Sequence, residues 1–146
     1  MKKLILWTFL SQQAVDNLTP KQRHKNMQAI RSKGTVPERM IMRELRRRKI
    51  YFARYVDSII GKPDIVFRRN KIVVFIDSDF WHGNKKRFIT PKTNVKYWRE
   101  KIVRNRERDK EVNHLLKKDG WKIIRLWEYD IKTHFDKCIQ IILDNL

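Results

Sequence analysis

The feature that most constrains this chain is the unbroken apolar run Ile72-Val73-Val74-Phe75-Ile76. Five residues are too few for a buried helix, and four of the five are β-branched, which favours a strand. A strand with no polar alternation has no face to offer to water, so it must be covered on both sides. The rest of the chain has to supply a sheet around this strand and helices above and below it.

The surrounding pattern does so. Thr35-Val36-Pro37-Glu38 is a helix start, with Thr as N-cap, Glu three residues later and Pro in the first turn. The helix runs to about Lys49, burying Ile41 and Leu45 and exposing Arg39, Arg43, Arg46 and Arg47. Tyr51–Val56 and Asp64–Phe67 are β-like runs separated by Gly61-Lys62-Pro63, and Arg68-Arg69-Asn70-Lys71 turns the chain into the central strand. Residues 77–93 form a loop containing Phe80-Trp81-His82-Gly83, and a long charged helix follows over Val95–Lys118, stopped by Gly120. Trp121–Trp127 is a further strand, and Ile131–Leu146 reads as one amphipathic helix with Ile131, Phe135, Ile139 and Ile142 on one face. The predicted order is αβββαβα: an α/β domain, its mixed sheet flanked by helices. It occupies residues 18–146, with 18–33 a basic arm. Residues 1–17 read as a poorly specified extension of a cytoplasmic protein, because the apolar run Leu4–Leu10 cannot span a bilayer and Ser11-Gln12-Gln13-Ala14 is a poor cleavage site.

Charge narrows the choice of partner. The 146 residues carry 35 Lys+Arg against 16 Asp+Glu, a net charge of +19, which opposes compaction unless a polyanion neutralises it. Nucleic acid is the leading candidate and an anionic membrane surface the competitor. The excess is local: eleven Lys/Arg face three acids between Lys85 and Lys110, interleaved with the stacking surfaces Trp81, Tyr97 and Trp98. With Cys138 as the only cysteine, neither an intrachain disulfide nor a cysteine-based zinc cluster can form.

Chemistry is available at the ends of these elements. Asp64 opens one strand and Asp77 closes the next, so a hairpin through Arg69-Asn70 brings their carboxylates together. Two carboxylates at a sheet edge suit Mg²⁺, which completes its shell with water and substrate phosphate. His82 could transfer a proton or steady a phosphate, and Glu38 could order metal-bound water. Each also has a plain structural reading: turn chemistry for Asp64, a capping box for Glu38, a loop opener for Asp77, a packed ring for His82.

The runs Gly61-Lys62-Pro63-Asp64-Ile65-Val66, Val74-Phe75-Ile76-Asp77-Ser78-Asp79-Phe80-Trp81-His82-Gly83 and Pro91-Lys92-Thr93-Asn94-Val95-Lys96-Tyr97-Trp98 resemble the very-short-patch repair endonucleases. The likeness continues through Asn105, Arg108-Asp109, Gly120-Trp121 and Trp127-Glu128, and upstream through His24-Lys25-Asn26-Met27 and Ile30-Arg31. It implies a restriction-endonuclease-like core and Mg²⁺-dependent nicking of duplex DNA 5′ of the T in a T·G mismatch. By position it makes Asp64 the principal metal ligand, Asp77 a second, His82 the catalytic histidine, and Glu38 and Asp109 supporting acids. Phe80, Trp81 and Trp98 would wedge beside the mismatch, with Met27 inserting from the opposite groove, and Lys25, Arg31, Lys101 and Arg104 would contact DNA. The resemblance also implies a monomer in the cytoplasm, nucleoid-associated, with mismatch-repair proteins as candidate partners and no membrane partner. The family's structural zinc is not expected, because Asp79, Asn84 and Tyr129 stand where its cysteines would. A same-fold mobile-element, homing-type or structure-specific endonuclease, and a non-catalytic DNA-binding module, are the alternatives.

Overall fold

The computed structural model describes residues 19–22, 25 and 33–146. The chain divides into two compact units, Met1–Ser32 and Lys33–Leu146. In the first, Thr19 and Gln22 cap one another reciprocally: the Gln22 amide donates to Thr19 Oγ1 (3.2 Å) and the Thr19 amide to Gln22 Oε1 (2.9 Å). Lys25 is helical and exposed, whereas Met27 and Arg31, two of the expected DNA contacts, lie outside the described residues.

The second unit holds helices α1 (Val36–Arg47), α2 (Val95–Lys118), α3 (Glu128–Thr133) and α4 (Phe135–Leu143). Its strands are β1 (Ala53–Arg54), β2 (Ile65–Phe67), β3 (Ile72–Asp77) and β4 (Lys122–Trp127). The sheet order is β1-β2-β3-β4; β1 and β2 are antiparallel, β2 and β3 form the expected hairpin, and β3 and β4 run parallel. The sheet is therefore mixed, and the crossover between its parallel strands is α2.

The apolar run behaves as its composition demands. Ile72 and Val74 enter the core built by α1, α3 and α4, around Ile41, Leu45, Ile131, Ile139 and Ile142. Val73 and Phe75 enter a second core with Val112 and Leu116 of α2. Each fully buried Ile or Val contributes roughly 1.5–3 kcal/mol relative to exposure, so both coverings are needed to hold β3 in place. The long helix has its predicted bounds and ends at Gly120, whose φ of +80° suits the left-handed position after a helix.

Two expectations are corrected. The strand predicted over Tyr51–Val56 shrinks to Ala53–Arg54, because Tyr55 turns out of the sheet at φ +51°. The single terminal helix is two helices broken at His134 (φ −132°, ψ 47°). Thr133 Oγ1 donates to the Tyr129 carbonyl (2.8 Å) and lies 2.8 Å from His134 Nδ1, a local bonding pattern that competes with helix continuation. Ile131, Ile139 and Ile142 remain buried across the break, so the apolar face survives.

Candidate active site

The β2–β3 hairpin sets Ile65 against Val74, which places Asp64 just before β2 near Asp77 at the end of β3. The Asp64 backbone amide donates to the Val74 carbonyl (3.1 Å), and Asp64 Oδ2 accepts the Ile76 amide (2.7 Å). Among the described residues, Oδ1 takes no hydrogen bond. Burial pushes the Asp64 carboxyl up from its ordinary 3.8 to about 7, and the charges of Glu38 and Asp77 add to the rise against the Ile76 amide and His82.

Glu38 comes to this region from the first turn of α1 and is buried. Its Oε1 accepts the Thr35 hydroxyl (2.7 Å); its Oε2 accepts the Gly34 amide (2.8 Å) and the Tyr55 hydroxyl (2.8 Å). The expected capping box is not formed, since the Thr35 hydroxyl donates to the Glu38 carboxylate and caps no backbone amide; these hydrogen bonds instead fix a carboxylate whose charge is felt by Asp64.

Asp77, at the end of β3 as expected, is only 4% exposed and accepts Nη1 of Arg125 on both oxygens (2.9 and 2.8 Å). Arg125 also approaches Asp109 Oδ1 through Nη2 (3.5 Å), bonds Asn113 Oδ1 through Nε (3.1 Å) and lies over the Phe75 ring at 4.5 Å. Asp109, from α2, meets His82 Nδ1 at 2.6 Å, while His82 Nε2 stands 3.7 Å from Asp77 Oδ1. Burial would raise the Asp109 carboxyl, but the His82 hydrogen bond and charge, with Arg125 and Arg108, outweigh it and hold the group below its ordinary value. A carboxylate acceptor there favours the tautomer with the imidazole proton on Nδ1, with Nε2 on the Asp77 side.

The loop carrying His82 is fastened to α2. Asn105 Nδ2 donates to the Trp81 carbonyl (2.9 Å), and Arg106 donates to the carbonyls of His82 and Gly83. Gly83 has φ +57°, and a Cβ there would lie 2.5 Å from Ile102 Cγ2, so only glycine fits against the helix. Next to His82, Phe80, Trp81 and Trp98 form one aromatic cluster with centroid separations of 5.1–5.7 Å, and Lys101 Nζ lies 4.9 Å from the Trp81 ring and 5.7 Å from the Trp98 ring. Arg104 is exposed on the same helix.

Asp79, Asn84 and Tyr129 are brought together as well. Asn84 Nδ2 donates to Asp79 Oδ1 (2.8 Å), and the Tyr129 amide donates to Asp79 Oδ2 (3.2 Å). This ties the loop to the first turn of α3, and the Arg87 guanidinium covers the Tyr129 ring at 3.1 Å. Among the described residues no three His, Cys, Asp or Glu side chains are grouped to hold a metal ion. No described helix is long and apolar enough to cross a membrane.

Sequence reasoning missed Arg125 and Tyr55. The Arg125 signal was present, a cation inside the apolar run Ile123-Ile124-Arg125-Leu126-Trp127. Tyr55 left none, since its role depends on a turn that only the tertiary structure shows.

An α/β sheet that presents an aspartate–histidine–aspartate centre at a strand end, beside a cationic helix and an aromatic cluster, has the chemistry to act on a phosphodiester backbone. Residues 15–87 match the family model described as DNA mismatch endonuclease Vsr. The chain is 39% identical over 128 residues to the type II nicking enzyme V.NmeDIP of Neisseria meningitidis serogroup C, covering 86% of each chain. It is 43% identical over 113 residues to the type II nicking enzyme V.NaeI of Lentzea aerocolonigenes, covering 74% of this chain and 68% of that one. It is 34% identical over 107 residues to the DNA mismatch endonuclease Vsr of Escherichia coli, covering 73% and 69%. The protein belongs to the DNA mismatch endonuclease Vsr family.

Proposed function

We propose that this endonuclease nicks one strand of duplex DNA 5′ of the T in a T·G mismatch, with Mg²⁺ as cofactor and no structural zinc. The observation that carries the reading is the continuity of Phe80 and Trp81 with His82 on one loop clamped to α2. Aromatic wedging is least costly at a mismatched step, so the side chains that open the duplex there also carry the histidine to the adjacent phosphate. The names of the relatives, nicking enzymes and a mismatch endonuclease, point the same way.

The residues fit a hard divalent cation. Asp64 is a desolvated carboxylate with one oxygen unpartnered among the described residues and two further negative charges close by, a deficit that Mg²⁺ would relieve. When bound, the metal would supply Lewis-acid stabilisation of the phosphate and activation of water. His82, oriented by Asp109, holds or moves a proton at Nε2, and Glu38 would order water near Asp64. Lys101 and Arg104 would hold backbone phosphates, setting register without reading sequence.

The test is a panel of T·G-mismatched, other mismatched, branched and fully paired duplexes, incubated with Mg²⁺, with the nick position mapped. A single nick 5′ of the T in T·G duplexes supports the reading. Equal cleavage of paired DNA overturns the mismatch specificity, preferential cleavage of branched DNA selects a structure-specific endonuclease, and inactivity with both Mg²⁺ and Mn²⁺ selects a DNA-binding module.

A further inference from the structure

We propose that Arg125 is a positioning residue that withholds Asp77 from the metal ion and makes it one wall of a bracket around His82, leaving Asp64 as the carboxylate offered to the cation. This rests on the reading of the centre as the cleavage site, and it deepens that reading by separating two aspartates that the sequence presents as a pair.

The two carboxylates are in opposite situations. Asp77 is buried and accepts Arg125 Nη1 on both oxygens, so its charge is met at short range. The guanidinium is itself fixed on every side: Asn113 takes Nε, Asp109 faces Nη2, and the Phe75 ring covers one face. Its planar, multi-donor geometry allows one cation to engage Asp77, Asp109 and Asn113 together. Asp77 cannot turn toward a metal without stranding a partly buried guanidinium. Among the described residues the Asp64 carboxylate accepts only the Ile76 amide, and no Lys or Arg pairs with it.

The consequence for His82 is geometric. The ring lies between Asp109 on Nδ1 (2.6 Å) and Asp77 beside Nε2 (3.7 Å), and Arg125 joins those two carboxylates behind it. Two acids linked through one arginine hold the imidazole from both edges. Without Arg125 the acids repel each other, and the bracket opens. The placement also explains why a charged residue interrupts β4: its register partner on β3 is Phe75, two residues before Asp77 on the same face, so the side chain reaches Asp77 directly.

The experiment uses the full chain and measures Mn²⁺ affinity without DNA, by the spin-resonance signal of the free ion, for the native protein, Asp64→Asn and Asp77→Asn. Asp77→Asn is expected to stay within about threefold of native and Asp64→Asn to lose about tenfold or more, since only the latter removes a ligand. Asp77→Asn weakening Mn²⁺ as much as Asp64→Asn would overturn the proposal. Arg125→Met is then compared with native for single-turnover nicking and duplex affinity. The expected result is a rate loss of about 100-fold with affinity within about threefold, and no rescue by Arg125→Lys, whose single ammonium cannot span three acceptors. A native rate in Arg125→Met, or full rescue by lysine, overturns the positioning role. Should Arg125→Met fail to fold, the Asp77→Asn measurement decides the assignment alone. A native chain that binds Mn²⁺ as expected but nicks no duplex overturns the proposed function and leaves the assignment of the two aspartates intact.

Discussion

Replacing Asp64 with Asn should make the metal-free protein more stable at alkaline pH while abolishing cleavage. Asp64 ionises near 3.8 when unfolded and at about 7 in the fold, chiefly because burial penalises its charge. Between those values the folded chain binds more protons than the unfolded one, so stability falls as pH rises. Below about pH 4 the group costs nothing, and above about pH 7 the full cost is present. The displacement of about 3 pH units, at about 1.4 kcal/mol each, sets an upper bound near 4 kcal/mol. Asparagine has the same shape, can still accept the Ile76 amide, and carries no charge. Urea unfolding in EDTA at pH 5 and pH 8 measures the difference between native and variant. The variant should gain about 2–4 kcal/mol over native at pH 8, or about 6–12 °C in Tm, and clearly less at pH 5. Added Mg²⁺ should then raise the native midpoint at pH 8 and leave the variant's unmoved, since only a bound ion shifts the equilibrium. Equal midpoints of the two proteins at pH 8 would refute the reasoning, because the Asp64 carboxylate would then carry no burial cost for a cation to relieve.

Three other outcomes follow from the geometry. Asp79→Ala leaves the Tyr129 amide and the Asn84 side chain without their acceptor, which should cost about 2–3 kcal/mol in urea unfolding; chelator-dialysed native protein should keep its Tm at pH 5 and contain no zinc by atomic absorption. Gly83→Ala forces a Cβ onto Ile102 and strains a residue at φ +57°, so single-turnover nicking should fall about 100-fold as the His82 carbonyl leaves Arg106, and a native rate would show that the loop tolerates the shift. Lys101→Ala should weaken duplex binding and reduce the slope of log affinity against log salt by about 1, measured by fluorescence anisotropy across a salt series.

Local pattern carried the parts of the architecture that local physics decides. The five-residue apolar strand, the helix bounded by Asn94 and Gly120 and the helix start before Ile41 were legible because each depends on neighbours within a few positions. The proximity of Asp64 and Asp77 followed from a hairpin whose turn is written as Arg68-Arg69-Asn70-Lys71. The contact of Asp77 with Arg125 was not legible, because the arginine lies 48 positions away on a strand that pairs only after α2 has crossed over. The break at His134 was hidden for another reason: the apolar spacing from Ile131 to Ile142 continues across it, and the hydroxyl of Thr133 that competes with the helix has no distinctive sequence context. The resemblance singled out Asp79, Asn84 and Tyr129 only as positions without cysteine, and only the structure shows that Asn84 and Tyr129 both bond to Asp79.

The long helix joins what would otherwise be separate parts of the enzyme. Along one face of α2, successive turns present Trp98 and Lys101 to the aromatic cluster, Asn105 and Arg106 to the carbonyls of Trp81, His82 and Gly83, and Asp109 to the imidazole. Val112 and Leu116 then anchor the same helix in the core beneath β3. Each of these steps is a hydrogen bond or a packed contact to one helix, so the aromatic cluster and the histidine share a single support. The +19 charge therefore has two separable effects. Exposed Lys and Arg would hold the duplex through screened, non-directional attraction, whereas Arg106 and Arg125, both partly buried, point inward to the site. Salt should weaken the first effect steeply and leave the second almost untouched, so the nicking rate of saturated enzyme should be far less salt-dependent than its affinity.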